Sequence, residues 1–265
     1  EKERKAKIMS KGLPKKKEII GVKNVLLIVS GKGGVGKSTT AVNVAAALAN
    51  RKNLKVGLLD ADVFGPSVPL MMNLNESPLL TKENKMIPLI NYGVKCISMG
   101  FLVSEKSAVI WRGLMVMSAL DKLLHQVDWG KLDFLVIDTP PGTGDTLLSL
   151  IQNIPISGVV IISTPQLSAV QVTRRGATML QKLDVPIIGL VSNMNSVSCP
   201  NCNRDISIFG NSMSNLATEL DVPILADIPM DPEISECSDY GKPIVVSKPR
   251  SAQGEKYTEL ATKIV

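Results

Sequence analysis

SGKGGVGKSTT, residues 30–40, follows the apolar run NVLLIVS (24–30) and opens a helix-like stretch, STTAVNVAAALAN (38–50). From Gly31 to Ser38 it fits the pattern G-x-x-x-x-G-K-[ST]. Each part of a strand, glycine loop and helix in that order has a physical task. Glycines let backbone approach a ligand closely, successive N–H groups point at phosphate oxygens, and the helix amino terminus adds partial positive charge. Lys37 is expected on the β- and γ-phosphates of a nucleotide and the Ser38 hydroxyl on Mg²⁺. Gly31, Lys32, Gly33, Gly34, Val35, Gly36 and Thr39 complete the expected nucleotide cradle. A glycine-rich turn without a ligand is the alternative, and the flanking strand and helix argue against it.

Outward from this loop, short Val/Ile/Leu runs alternate with longer helix-like segments. The runs are 24–30, 55–62, 94–101, 133–140, 158–165, 186–194 and 222–229, with helix candidates at 38–50, 112–127 and 166–183. Continuous apolar runs indicate strands buried on both faces. Strand and helix in repeated alternation imply one doubly wound α/β domain with a mostly parallel sheet, over residues 21–265. Such folds bind ligands at the carboxyl ends of their strands. Segment 63–93, rich in Pro, Asn and Met, is the largest irregular insertion.

Composition narrows the partners. The chain of 265 residues is 45% hydrophobic but only 3% aromatic, so its core is aliphatic. The net charge of +6 is located in residues 1–17, which hold eight Lys/Arg and two Glu; the remainder carries 22 basic and 22 acidic residues. A basic, flexible arm over 1–20 is therefore expected, and the neutral body has no electrostatic footprint for nucleic acid. No apolar run approaches the roughly 20 residues of a membrane helix, so no stable membrane insertion is expected. Four cysteines in this length do not make a disulfide framework and suit a reducing compartment.

Two acidic motifs sit at predicted strand ends. LLDAD places Asp60 and Asp62, and LVIDTPPGTGD places Asp138 where a carboxylate holds the Mg²⁺ shell. Phosphoryl transfer needs positioning and charge neutralisation more than covalent help, so few carboxylates suffice. Asp60 is read equally well as a helix cap. Lys32 with Gly33 and Gly34 makes KGGVGKS, which resembles the deviant P-loop of the MinD/ParA/nitrogenase-iron-protein class. That resemblance implies an ATP-dependent homodimer in which Lys32 reaches the partner's nucleotide. It further implies that Asp62 orients the attacking water or touches Mg²⁺, that TPPGTGD is a switch loop, and that Asn193 reads the adenine edge. Lys32, Lys37 and Asp62 are then the residues of a slow ATPase.

SVSCPNCNRDISIFG carries Cys199 and Cys202, two thiols where a tetrahedral site takes four. DADVFGPSVP, TPPGTGD and this Cys-x-x-Cys after SNM together resemble the Mrp/ApbC family of iron–sulfur cluster scaffold and carrier ATPases. KGLPKKKEIIGVKNV, NYGVKCISMGFLV, WRGLMVMSAL and HQVDWGKLDFLVIDTPPGTGD resemble its mitochondrial branch, which assists respiratory complex I. The resemblance implies a four-iron four-sulfur cluster on Cys199 and Cys202 of two subunits, client apoproteins in complex I, and a matrix location. Zinc in the same thiolate geometry, a redox dithiol, a zinc-bridged dimeric ATP-binding scaffold and a MinD/ParA-type positioning ATPase are the competing readings. Pro200 and Asn201 suggest a loop or knuckle rather than a helix start. Cys96 and Cys237 are expected as buried small hydrophobes, and His125, the single histidine, as a solvent-facing helix end. Met71, Met72, Met115 and Met117 are read as core, with a client groove as the alternative.

Overall fold

The computed structural model describes residues 16–50, 54–63, 65–102, 113–199, 201–202 and 204–265. The strands are β1 (Val22–Ser30), β2 (Val56–Asp60), β3 (Leu89–Asn91), β4 (Val94–Ser98), β5 (Leu132–Asp138), β6 (Gly158–Ser163), β7 (Ile187–Ser198), β8 (Asp205–Ser207) and β9 (Ile224–Met230). The helices are α1 (Lys37–Ala49), α2 (Val68–Met71), α3 (Gly113–His125), α4 (Asp145–Asn153), α5 (Leu167–Lys182), α6 (Ser212–Leu220), α7 (Pro232–Asp239), α8 (Ile244–Ser247) and α9 (Ala252–Ile264). One sheet runs β3-β4-β2-β5-β1-β6-β7-β8, and β9 also pairs with β7, where Val197 has Ile206 of β8 on one side and Met230 of β9 on the other. All its pairings are parallel except β3 with β4 and β7 with β8.

Alternate side chains of each central strand feed opposite layers. Leu27, Val29, Leu59 and Ile137 pack with buried residues of α3, α4, α5 and α6. Leu26, Ile28, Leu58 and Val136 pack with α1, α8 and α9 on the other face. This two-sided burial is why the runs are continuously apolar. The small face of α1, from Ala41 to Ala47, lets it lie close to the sheet and to Tyr257 of α9. Among the described residues, no helix is long and apolar enough to cross a membrane.

The edges depart from the sequence reading. β3 and β8 are three-residue antiparallel strands, LIN and DIS, too short and too exposed to stand out as apolar runs. β7 continues four residues past the expected end at 194, through polar Asn195, Ser196 and Ser198. β4 stops at Ser98 and a 3₁₀ turn, Met99–Leu102, follows. The irregular 63–93 insertion holds α2, β3 and a bridge between Leu80 and Met86. Residues 1–15 of the basic arm, Pro200, and residue 112 of the expected helix 112–127 lie outside the described residues. The chain is anchored before residue 21: Lys17 N–H donates to the Asn153 carbonyl at 2.7 Å, and Ile19 is buried in the core.

His125 corrects an expectation. It ends α3 as expected, but its side chain is only 9% exposed rather than solvent-facing. Its Nδ1 lies 3.1 Å from Asp121 Oδ1 one turn earlier on α3. Met72 is fully buried and Met71 and Met117 are half-buried, in keeping with a core role, whereas Met115 is 49% exposed.

Candidate functional site

The carboxyl ends of β1, β2, β5 and β7 bring the expected nucleotide residues to one edge of the sheet. Gly31, Lys32, Gly33, Gly34, Val35 and Gly36 link β1 to α1, and Lys37, Ser38 and Thr39 form the helix's first turn. Gly34 and Gly36 hold φ of 76° and 84°, the left-handed region where a side chain is strained. A Cβ on Gly33 or Gly34 would meet nothing within 4 Å, so the loop faces open space. A Cβ on Gly31 would press on the backbone of α5 at Thr173, 2.8 Å away, and one on Gly36 would lie 2.1 Å from Asn193 Nδ2.

Lys37 is buried and paired. Its Nζ donates to Asp138 Oδ1 at 2.6 Å and to Ser38 Oγ at 3.3 Å, and lies 3.9 Å from Asp62 Oδ2. Asp138 is fully buried, and its Oδ2 has no partner among the described residues. Burial raises the Asp138 carboxyl above the usual carboxylate range, and the Lys37 ammonium opposes that rise. The Asp138 carboxylate with Ser38 is a hard oxygen set next to a phosphate loop, and it fits Mg²⁺.

Asp60 plays a different part. It stands beside Asp138 in strand register and accepts from Ser98 Oγ at 2.9 Å, Asp62 N at 3.1 Å and Val68 N at 3.2 Å. The carboxylate thus caps the start of α2 and fixes the turn that carries Asp62. Burial first, then the Asp138 charge, pushes its carboxyl up to about 7.

Asn193 sits on β7, 5% exposed, and its Nδ2 donates to the Val35 carbonyl at 2.8 Å. It braces the glycine loop from below. Nothing local in the chain signals this contact, because 158 residues separate the partners. Lys32 is exposed and reaches Ser168 Oγ on α5 at 3.3 Å. The TPPGTGD loop is tied to β1 through Thr139 Oγ1 to Ile28 O at 3.0 Å and Gly142 N to Ser30 O at 2.8 Å.

Six residues beyond Asn193, just past the end of β7, lies Cys199. Met194 between them holds a left-handed φ of 56°, and the pairing with β9 shifts register between Asn193 and Val197. β7 and β8 then form a hairpin, Ser196 opposite Ser207 and Ser198 opposite Asp205. Cys199 N–H donates to the Arg204 carbonyl at 2.9 Å, so Cys199 and Cys202 occupy the tip. The tip is not a helix amino terminus. Cys199 is half-buried and Cys202 exposed, and neither forms a disulfide. The backbone N–H groups of Cys202 and Asn201 hold the Cys199 thiol below the usual thiol range. A thiolate is the form that ligates metal. Ser198 Oγ donates to Asp205 Oδ1 at 2.5 Å and Asn195 Nδ2 to Asp227 Oδ1 at 3.2 Å, which fasten the hairpin base. Ile206, Ile208 and Met230 are 52%, 43% and 46% exposed around it. Cys96 in β4 and Cys237 in α7 are both buried, and Cys237 accepts from Ser247 Oγ at 3.0 Å. Among the described residues no three His, Cys, Asp or Glu side chains converge as a metal site.

Comparison with known proteins agrees with this geometry. A family model described as NUBPL iron-transfer P-loop NTPase, of the ParA group, matches residues 21–265. The mouse iron-sulfur cluster transfer protein NUBPL is 55% identical over 100% of this chain and 83% of its own. The Arabidopsis thaliana iron-sulfur protein required for NADH dehydrogenase, mitochondrial, is 52% identical over 92% of this chain and 79% of its own. Among solved structures, a nucleotide-binding protein from Archaeoglobus fulgidus in complex with ADP superposes with a TM-score of 0.76. It is 33% identical and covers 89% of this chain and 93% of that one. A glycine loop braced from β7, a buried lysine–aspartate pair and a two-thiol hairpin thus lie on one doubly wound, mostly parallel scaffold, and the chain belongs to the NUBPL iron-transfer P-loop NTPase family.

Proposed function

We propose that this protein is an ATP-dependent iron–sulfur cluster carrier, which holds a four-iron four-sulfur cluster between two copies of the chain and passes it to client apoproteins. The observation that carries the reading is the hairpin tip with two thiols, Cys202 exposed, and among the described residues no third His, Cys, Asp or Glu side chain that completes a metal site. A cluster of this type takes four thiolates, so each copy supplies Cys199 and Cys202, and a two-fold axis completes the set. The exposed Ile206, Ile208 and Met230 give the hairpin base an apolar surface to bury in that contact. Exposure of the tip suits cargo that must leave, unlike a buried redox centre.

At the other site Gly31, Lys32, Gly33, Gly34, Val35, Gly36, Lys37, Ser38 and Thr39 bind ATP. Ser38, Asp138 and Asp62 would hold Mg²⁺, whose chemistry is to neutralise phosphate charge. Lys37 would serve the β- and γ-phosphates, and Asp138, whose Oδ2 has no partner among the described residues, would help hold the ion. Lys32 acts across the dimer contact, and Asp62 positions water for slow hydrolysis. Asn193 braces the loop, and reading an adenine would require exchange of its bond to Val35. The mitochondrial matrix and complex I subunits are the proposed location and clients, in line with the name of the plant relative. Residues 21–265 act as the single functional domain, with the basic arm before it.

Anaerobic reconstitution tests the reading: about two irons per chain are expected in a dimer, from four irons shared by two copies. Full iron loading of a monomer, or of the Cys199→Ala, Cys202→Ala double variant, overturns it. Zinc with no iron in protein isolated without oxygen would favour the zinc-bridged scaffold. A membrane-positioning role finds little support in α9, whose Tyr257, Leu260 and Ala261 are buried in the domain rather than presented outward.

A further inference from the structure

β1 and β5 begin at the end of the sheet that lies away from the glycine loop and the cysteine hairpin, and a groove opens there. The nine residues of β1, at about 3.3 Å each, put roughly 30 Å between it and the glycine loop. Lys17, Ile20, Lys85 and Lys131 line the groove, and all four are exposed.

Ile20 is 86% exposed, on a turn whose position is fixed. Ile19 before it is buried in the core, Val22 N–H donates to the Ile19 carbonyl at 3.1 Å, and Leu132 N–H donates to the Gly21 carbonyl at 2.8 Å. Gly21 holds φ of 84°, and a Cβ there would lie 2.1 Å from the Gly130 carbonyl oxygen. Ile20 therefore cannot roll inward without breaking the bonds to segment 130–132. A large apolar side chain is held in water, and a partner that buries it recovers the transfer free energy.

The cations around Ile20 are unspent. The ammonium groups of Lys17, Lys85 and Lys131 make no ion pair or hydrogen bond among the described residues. Against Glu18 and Asp128 of the same groove they leave an excess of one positive charge, and Lys16 adds another. Lys23 and Asp133, at the starts of β1 and β5, cancel each other at 2.6 Å. Residues 1–15 hold six Lys/Arg and two Glu and join the described chain at Lys16, so four further positive charges enter at this end. The partner is therefore anionic. The cations of the groove are all lysines, with no guanidinium fork to grip a phosphate or base in fixed geometry. Trp129 in its wall is 1% exposed, too covered for a base to stack on. Point charges around a projecting apolar side chain suit an acidic lipid surface, which offers a diffuse negative field and an apolar layer beneath it.

We infer that this end of the molecule docks on a bilayer that carries anionic lipid, with Lys17, Lys85 and Lys131 among the headgroup phosphates and Ile20 at the acyl boundary. The contact is peripheral and needs no spanning helix. It leaves the glycine loop and the cysteine hairpin at the far end, facing solution. The inference uses neither the nucleotide nor the cysteine chemistry and is independent of the carrier reading.

Co-sedimentation of the full chain with phosphatidylcholine vesicles, with and without phosphatidylglycerol, tests it. Binding is expected to the acidic vesicles alone and is expected to weaken as salt rises, because the attraction falls off within a Debye length. Each lysine near an acidic surface is worth a factor of about five in affinity. The triple variant Lys17→Glu, Lys85→Glu, Lys131→Glu, which keeps residues 1–15, is thus expected to bind at least about twentyfold more weakly. Ile20→Ser is expected to lose about fivefold. Nucleotide affinity should match wild type in both proteins, since all four positions are exposed and remote from the glycine loop. Absence of binding to acidic vesicles, equal binding to neutral ones, or a triple variant that binds like wild type, so that residues 1–15 alone suffice, overturns the inference. So does an Ile20→Ser protein that binds undiminished, or retention on heparin without vesicle binding, which would assign this end to a soluble polyanion.

Discussion

The glycine loop and the cysteine hairpin occupy the same edge of the sheet and are built on opposite terms. The loop is held from all sides. Asn193 braces Val35, α5 abuts Gly31, and Lys37 and Asp138 neutralise each other in the interior. The hairpin projects with an exposed Cys202, three ladder pairs and two side-chain bonds at its base. A site that binds the same ligand repeatedly gains from preorganised donors, whereas a site that must release cargo needs access. β7 is part of both, with Asn193 at one point and Cys199 six residues on. The left-handed Met194 and the register shift fall between them. Strain of this kind costs about 1–3 kcal/mol and persists where surrounding structure imposes it.

The sharpest break in that comparison is at the hairpin. Replacing Cys199 and Cys202 with serine is expected to remove all bound iron, by metal analysis, while thermal stability and nucleotide affinity stay near wild type. Exposed substitutions of this kind move stability by about 0.5 kcal/mol or less.

At the loop, Lys37→Ala should reverse the pattern. It leaves Asp138 buried without its cation, which costs about 3–5 kcal/mol in denaturant unfolding. Nucleotide binding by calorimetry should be lost. If the variant instead unfolds like wild type, the buried pair is not what holds this edge together.

Asp60 gives the loop side a pH signature. An exposed Asp in the unfolded chain ionises near 3.8, and the folded carboxyl near 7. Between those values the folded state binds more protons, so its stability falls as pH rises and the full penalty is present above about pH 7. Unfolding at pH 5 and pH 8 should show Asp60→Asn gaining on wild type at the higher pH, by on the order of 2 kcal/mol. A pH-independent gap would contradict the burial argument.

The smallest expected effect is Asn193→Ala. It leaves the Val35 carbonyl without its donor, for about 1–2 kcal/mol, with a several-fold loss in nucleotide affinity. Cluster content unchanged in that protein would separate the two regions cleanly, and reduced content would show that β7 couples them.

The nucleotide loop and the sheet were legible because each depends on local chemistry. Gly34 and Gly36 need left-handed backbone, Lys37 and Ser38 follow at fixed spacing, and β1, β2, β5 and β6 are apolar because both faces are covered. The edge strands β3 and β8 were not legible, since three residues paired on one side carry no such pattern. The polar end of β7 escaped for the same reason, and with it the hairpin that presents the cysteines.

Residue type and spacing along the chain thus determined that a glycine loop would join β1 to α1, that buried parallel strands would carry it, and that two thiols would stand together. Only the tertiary structure decided that Asn193 supports Val35, that Asp138 neutralises Lys37, that Asp60 caps α2, and that the His125 side chain is mostly buried. The physical reason is range. Backbone geometry and hydrophobic period act between neighbours, whereas a hydrogen bond or ion pair across 101 or 158 residues exists only after the sheet has brought its partners side by side.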